Sequence, residues 1–175
     1  MQKIIYILLI LFVNNIYCQN TQDESNTRYI DFELPSISTY VVKLSNIVGK
    51  KLVILNFFAT WCPYCNQEFL YLKKIYEKYR DKNLEIISIS IKEPYKIVQK
   101  FAEKNELNHI ILIDSSGNTA KKYNIRKVPT NFIIDLNGNI IFAGYFLPNE
   151  EFIIQNLSKE KQKEVKQQRN KKKKN

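Results

Sequence analysis

The feature that most constrains the fold is a pair of cysteines placed between an apolar run and a helical pattern. Cys62 and Cys65 are separated by Pro63 and Tyr64, and the largely apolar run Leu52–Phe58 ends shortly before them. Such a continuous run is typical of a strand that is buried on both faces. This strand would deliver the cysteines to the edge of a sheet, where the following helix begins.

This placement favours sulfur chemistry at Cys62. The free N–H groups and the macrodipole at a helix N-terminus favour negative charge, so the first thiol would ionise readily. A thiolate attacks disulfides, and a second cysteine two residues further on can resolve the mixed disulfide. The motif therefore predicts a redox disulfide between Cys62, the nucleophile, and Cys65, the resolving thiol.

Two cysteines at this spacing would also fit half of a zinc or iron–sulfur site. A four-ligand zinc site needs two more Cys or His side chains, and the chain offers only His109 and Cys18. Three cysteines are too few for a fold held together by disulfides. We therefore expect redox chemistry with no metal and no other cofactor. We expect His109, just before an apolar strand, to be a structural or surface residue.

The N-terminus has the pattern of an export signal. Lys3 precedes the apolar run Ile4–Val13, which is too short to span a membrane but fits a signal peptide. We expect a signal peptide over residues 1–18 and a flexible polar linker over 19–28. Lipidation of Cys18 is the alternative, although Tyr17 is bulky for that processing. Both alternatives place the protein in the periplasm or cell envelope.

The net charge of +10 is concentrated at the C-terminus. Residues 159–175 contain nine Lys or Arg and two Glu, whereas residues 19–158 are close to neutral. We expect residues 159–175 to form a disordered, solvated tail, and weak attraction to an anionic membrane is the alternative. Export argues against nucleic acid as a partner.

Apolar periodicity predicts the remaining elements of one domain over residues 29–158. Strand candidates are Tyr29–Leu34, Tyr40–Leu44, Leu84–Ile91, Ile110–Ile113, Asn131–Asp135 and Ile140–Tyr145. Helix candidates are the segment after Cys65 through Tyr79, Pro94–Lys104, Ala120–Tyr123 and Asn149–Leu157. This order predicts an α/β fold, with a mixed central sheet and helices on both faces.

Several separate motifs resemble the TlpA/ResA group of exported thioredoxin-like reductases, over about Tyr29 to Leu157. Leu55–Cys65 is similar to the active-site segment of that group, and Lys127–Thr130 to its cis-proline loop. Phe132–Asp135, with Gly138 and Gly144, is similar to its closing hairpin. The resemblance implies a thioredoxin fold with an N-terminal β extension and one inserted helix, Pro94–Lys104.

The resemblance also implies roles for residues that support the pair. It implies a cis peptide bond between Val128 and Pro129, with the Val128 backbone against an incoming substrate. Asn56 stands where thioredoxin has a buried Asp, and an amide cannot accept the resolving thiol's proton. The resemblance transfers that role to Glu68.

The residues around the cysteines leave alternatives open. Trp61 would either pack against the start of the helix or contact the substrate. Pro63 and Tyr64 complete a Cys-Pro-Tyr-Cys motif whose central pair is also found in glutaredoxins. Glu68 lies on the first turns of the helix, where an acid also complements the dipole.

By resemblance, the expected function is reduction of protein disulfides, in cytochrome c maturation or in envelope redox homeostasis. The partners would be disulfide- or thiol-containing proteins and an electron donor. A disulfide oxidant or isomerase is the alternative within the same chemistry, because redox potential spans a wide range on one fold. A non-enzymatic binding module is the alternative from another class.

Overall fold

The computed structural model describes residues 27–159. Its elements are β1 (Glu33–Pro35), β2 (Val41–Lys43), a 3₁₀ turn (Leu44–Asn46), β3 (Leu52–Phe58), α1 (Pro63–Tyr79), β4 (Leu84–Ile91), α2 (Tyr95–Lys104), β5 (Ile110–Asp114), α3 (Asn118–Lys122), β6 (Thr130–Ile134), β7 (Ile140–Gly144) and α4 (150–159). The predicted signal peptide, nearly all of the predicted linker and the tail beyond residue 159 lie outside the described residues.

One mixed sheet organises the domain, with strand order β5-β4-β3-β6-β7. The central strand β3 pairs in parallel with β4 and antiparallel with β6. All seven residues of β3 are buried, as the apolar run predicts. Because β3 is central and ends at Phe58, it presents the following cysteines at one edge of the sheet.

Helices cover both faces of this sheet, as predicted. On one face, α1 packs through Phe69, Leu72 and Ile75, in a core that also includes Val98 of α2 and Ile153 of α4. On the other face, α3 and the separate β1–β2 hairpin pack against the alternate residues of the strands. The fold is the mixed α/β arrangement implied by the resemblance, with its N-terminal strand pair and inserted helix α2.

The structure corrects the predicted strand Tyr29–Leu34, because β1 covers only Glu33–Pro35. Side chains form hydrogen bonds with the backbone groups that a longer strand would use to pair with a neighbouring strand. The Ile30 N–H donates to the Tyr123 hydroxyl, which itself donates to the Ile30 carbonyl. The Phe32 N–H donates to the carboxylate of Asp31.

Several helix boundaries also differ from the prediction by a few residues. Helix α3 begins at Asn118 rather than Ala120, directly after Gly117, whose φ of 73° lies in the left-handed region. Helix α4 continues past Leu157 to residue 159, the last that is described. None of the helices in residues 27–159 has the length and apolar composition needed to span a bilayer.

Candidate active site

The sulfur of Cys62 caps the N-terminus of α1. Cys62 has an extended backbone, and Pro63 occupies the first turn, where a missing N–H costs no hydrogen bond. The Cys65 N–H donates to the Cys62 Sγ at 3.3 Å. The sulfur thus lies at the positive end of the helix dipole, with an N–H donor aimed at it.

The same sulfur faces the loop before β6. The Sγ of Cys62 donates to the Val128 carbonyl at 3.5 Å. The Val128–Pro129 peptide bond is cis, as the resemblance implies. Cys62 and Cys65 are both free cysteines, and both are buried. The loop and the motif thus form one unit around the sulfur atoms, although they are 66 residues apart.

Cys65 lies deeper than its partner, with 1% of its surface exposed. Burial and a hydrogen bond with the Cys62 side chain raise the pKa of the Cys65 thiol, and the nearby charge of Glu68 raises it further. Cys65 therefore holds its proton at neutral pH. It can attack a mixed disulfide only when that proton has somewhere to go.

Glu68 is a buried acid held by three hydrogen bonds. Its Oε2 accepts from the Asn56 amide at 3.0 Å, and its Oε1 accepts from Asn131 Nδ2 at 2.8 Å and the Leu147 N–H at 3.1 Å. Burial raises the pKa of Glu68 to about 7, although these hydrogen bonds act to lower it. The group can therefore gain or lose a proton near neutral pH.

Asn56 joins this network from the central strand. Its Nδ2 also donates to Asn131 Oδ1 at 2.8 Å, and the two residues are direct neighbours in the β3–β6 register. Among the residues described, no donor reaches the buried Oδ1 of Asn56. Sequence reasoning did not identify Asn131. The available signal was a polar residue at the start of an apolar strand.

Glu93 is a second buried acid that sequence reasoning missed. Its carboxylate accepts from the Thr60 N–H at 2.9 Å, the Thr60 hydroxyl at 2.5 Å and the Ser90 hydroxyl at 2.6 Å. Thr60 lies two residues before Cys62, so Glu93 fixes the loop that leads into the motif. Its sequence signal was an acid two residues after the end of the buried strand β4.

The side chains flanking the thiols are exposed aromatic rings. Trp61 is 74% exposed and Tyr64 is 62% exposed, so Trp61 does not pack against the start of the helix. Phe146, after β7, is 66% exposed and makes an edge contact with Tyr64, with the ring centroids 6.5 Å apart. Exposed aromatic rings therefore lie beside the buried sulfur atoms.

His109 lies in the core and not at the site. Its Nε2 is 2.9 Å from the Ser88 hydroxyl, and its ring stacks on Phe69. Burial lowers the pKa of His109 to about 4, so the ring is neutral at physiological pH. The structural alternative for His109 is thus correct. Within residues 27–159, no three Cys, His, Asp or Glu side chains are grouped so as to hold a metal ion.

Comparison with known sequences identifies relatives over most of the domain. The model of the AhpC/TSA family matches residues 26–143. The thiol-disulfide oxidoreductase ResA of Geobacillus kaustophilus is 34% identical over 126 residues, which are 72% of this chain and 72% of that protein. ResA of Halalkalibacterium halodurans is 31% identical over 130 residues, covering 74% of this chain and 73% of that protein.

Solved structures show the same architecture. A Chlorobium tepidum structure described as a thiol:disulfide interchange protein DsbE superposes with a TM-score of 0.67 at 28% identity, covering 75% of this chain and 93% of that one. StoA from Bacillus subtilis superposes with a TM-score of 0.61 at 24% identity, covering 71% and 93%. At 24% identity, the similarity to StoA shows a shared fold only.

Proposed function

Because the chain belongs to the AhpC/TSA family and, like its ResA relatives, is a thiol–disulfide oxidoreductase, we propose that it reduces disulfides of protein substrates through Cys62 and Cys65. The observation that supports this proposal is the unequal environment of the two sulfur atoms. The Cys62 sulfur receives an N–H at the N-terminus of α1, whereas burial raises the pKa of Cys65. In such a pair, one thiol attacks the substrate disulfide and the other resolves the mixed disulfide that forms.

The proposed reaction has two exchange steps. The Cys62 thiolate attacks a substrate disulfide, a bond forms between Cys62 and one substrate sulfur, and the other substrate sulfur leaves as a thiolate that takes a proton. Cys65 then loses its proton and attacks the Cys62 sulfur, which releases the second substrate thiol. The substrate gains two electrons and the enzyme is left with the Cys62–Cys65 disulfide. A dithiol donor must reduce this disulfide before the next turnover.

Glu68 is the proposed acceptor of the Cys65 proton. It follows Cys65 by three residues on α1, a spacing that brings side chains together. Its pKa of about 7 lets it accept a proton at neutral pH, whereas its partner Asn56 cannot titrate. Asn56 would position the carboxylate and take no part in the proton transfer.

The exposed residues of the motif would meet the substrate. We assign Trp61 and Tyr64 to contact with the substrate chain, because their rings lie open beside the thiols. Pro63 would fix the first turn of α1. Val128 would offer its backbone to the substrate next to Pro129, which has no N–H to donate.

Turnover of insulin disulfides by purified protein and a dithiol donor tests this function. Cys62→Ser and Cys65→Ser should each abolish turnover. The same change at the third cysteine, Cys18→Ser, should retain it. Absence of insulin reduction by the wild-type protein would overturn the proposal and favour a non-enzymatic binding module.

The redox potential of the pair tests its direction. Equilibration with glutathione should give a value near that of thioredoxin, about −270 mV, if the protein is a reductant. A value near about −120 mV would mark an oxidant. A reducing value would fit either of two more specific roles. One is the reduction of cysteine pairs for cytochrome c maturation, and the other is general envelope redox homeostasis.

The N-terminal and C-terminal segments carry the proposals on export and on membrane contact. We propose that residues 1–18 direct export, so the mature protein should begin at Gln19, or at a lipidated Cys18 in the alternative case. Mass spectrometry of the mature N-terminus separates the two.

The basic residues from Lys159 onward would add salt-sensitive binding to anionic vesicles. Truncation after Leu157 should remove that binding and leave reductase activity unchanged.

A further inference from the structure

A rim of contacting residues links the active-site motif to the loop before β6 and to the segment after β7. The Lys127 Nζ lies 5.4 Å from the centroid of the Tyr145 ring. Phe146, the next residue, contacts the ring of Tyr64 between the two cysteines. The Cys62 Sγ donates to the carbonyl of Val128, the residue after Lys127, and this contact completes the rim. The rim is therefore aromatic on one side and cationic on the other.

A cleft of about 340 Å³ shares Tyr145 with this rim. Its walls include Arg126 and Thr130, which flank the cis-prolyl loop, and the rings of Phe132 and Tyr145. The Arg126 Nε donates to Asn124 Oδ1 at 3.5 Å, and the Thr130 hydroxyl donates to the Lys127 carbonyl at 2.6 Å. The cleft thus combines an apolar floor with a guanidinium that retains free donors.

The basic side chains beside the cleft lack acidic partners. Both Arg126 and Lys127 are exposed, and within residues 27–159 neither takes part in an ion pair. The segment 115–134 contains four Lys or Arg and no Asp or Glu. Glu68 and Glu93 are buried and hydrogen-bonded. Asp31, whose charge reaches Tyr123 in the wall of the cleft, accepts from two backbone N–H groups. The field at the cleft therefore favours an anionic occupant.

We propose that this cleft binds an acidic side chain of the protein substrate, close to its reacting cysteine, and that Arg126 and Lys127 select for it. The inference rests on the proposed function, because it assumes that the substrate sulfur meets Cys62. Thr130 lines the cleft two residues after Val128, whose carbonyl accepts from Cys62, and an extended substrate chain advances about 3.3 Å per residue. The acidic residue would lie one or two positions from the substrate cysteine.

Binding can be measured apart from thiol chemistry. Trp61 is the one tryptophan of the chain and stands exposed beside Cys62, so its fluorescence reports occupancy of the rim. The full-length Cys62→Ser/Cys65→Ser protein would be titrated with two tryptophan-free peptides in which serine replaces the reacting cysteine. One peptide carries Asp at the two positions on each side of this serine, and the other carries Asn there.

The Asp peptide should bind about three- to tenfold more tightly than the Asn peptide. Arg126→Gln and Lys127→Gln should each remove most of this ratio, and Arg126→Lys should restore part of it. The matched control is Lys122→Gln, which removes an equal charge from the end of α3 at a residue that does not line the cleft, and it should preserve the ratio. Raising the salt from 0.05 to 0.5 M should shrink the ratio.

Equal affinity for the two peptides would overturn the inference. A loss of preference in Lys122→Gln as large as that in Arg126→Gln would also overturn it, because it would show diffuse attraction and no selection at the cleft. Insulin turnover by the redox-active protein distinguishes failure of the acidic-residue inference from failure of the proposed function. If insulin turnover is absent while the Asp preference remains, the function is wrong and the acidic-residue site stands.

Discussion

The amide of Asn56 donates to the carboxylate of Glu68 at 3.0 Å, between the central strand and the active-site helix. The amide fixes the acid in place without being able to take its proton. Because burial raises the pKa of Glu68 to about 7, the one titratable member of this pair changes charge near neutral pH.

Glu68→Gln should alter the pH dependence of the resolving step. The charge of Glu68 contributes to the raised pKa of Cys65, so removing it should shift the Cys65 titration to lower pH. The rate of substrate release from a mixed disulfide should also lose its inflection near pH 7. Single-turnover release across pH 5–9 measures both effects. Glu77→Gln, an exposed acid on the same helix, is the control, and a Glu68→Gln profile identical to wild type would contradict the role.

The protein should become less stable as pH rises from about 5 to 8. The folded pKa of Glu68, about 7, exceeds its ordinary value of 4.5. Its contribution to stability is therefore complete below 4.5 and is lost as the pH passes 7, by up to about 3 kcal/mol. Urea unfolding at several pH values should show this slope in wild type and a flatter one in Glu68→Gln. Parallel slopes in the two proteins would exclude Glu68 as its source.

His109 should produce the opposite slope at lower pH. Burial lowers its pKa from 6.5 to about 4, so its stabilising contribution is present above 6.5 and is lost as pH falls through 4. His109→Phe keeps an aromatic ring against Phe69 and should reduce the loss of unfolding free energy between pH 6.5 and 4.5. Adding Ser88→Ala removes the hydroxyl that this change leaves buried. If acid sensitivity is unchanged in the double variant, other groups cause it.

Glu93→Ala should lower both stability and thiol reactivity. The change leaves the Thr60 N–H and hydroxyl without their acceptor, at a cost of about 2–4 kcal/mol in unfolding free energy. Glu93→Gln keeps one acceptor oxygen and should cost about half as much. The alkylation rate of Cys62, measured under conditions where each variant is folded, should fall in the same order. Glu103→Gln, an exposed acid on α2, should leave both quantities unchanged.

The two cysteine variants should differ in what they capture. Cys65→Ser should accumulate a mixed disulfide with an activated peptide through Cys62, because the resolving thiol is gone. Cys62→Ser should capture little, since the remaining thiol is 1% exposed and has a raised pKa. Mass spectrometry of the adducts quantifies the difference. Equal capture by both variants would contradict the assignment of Cys62 as nucleophile.

Local patterns in the sequence predicted the parts of this molecule that depend on neighbouring residues. The bounds of Leu52–Phe58 and Leu84–Ile91 were correct to the residue, because continuous apolar runs end where the strands end. The cis bond at Pro129 followed from the resemblance of one loop.

What the sequence did not reveal depends on side chains that meet across the fold. Asn131 contacts Asn56 from 75 residues away, and Glu93 contacts Thr60 from 33 residues away. Each residue taken separately resembles an ordinary polar residue near the end of a strand. The strand register places one amide opposite the other, and the turn after β4 directs Glu93 at the active-site loop. Neither pairing has a signature in spacing or composition.

A single oxygen atom links the proton chemistry of this enzyme to the shape of its surface. The Oε1 of Glu68 accepts from the N–H of Leu147, directly after the exposed ring of Phe146. A protonated carboxyl is a weaker acceptor than a carboxylate, so each change of charge at Glu68 changes the support beneath the surface that would hold the substrate. If Glu68 accepts the Cys65 proton, as we propose, redox tuning and partner choice are coupled at this position. A variant selected for one will carry an altered version of the other.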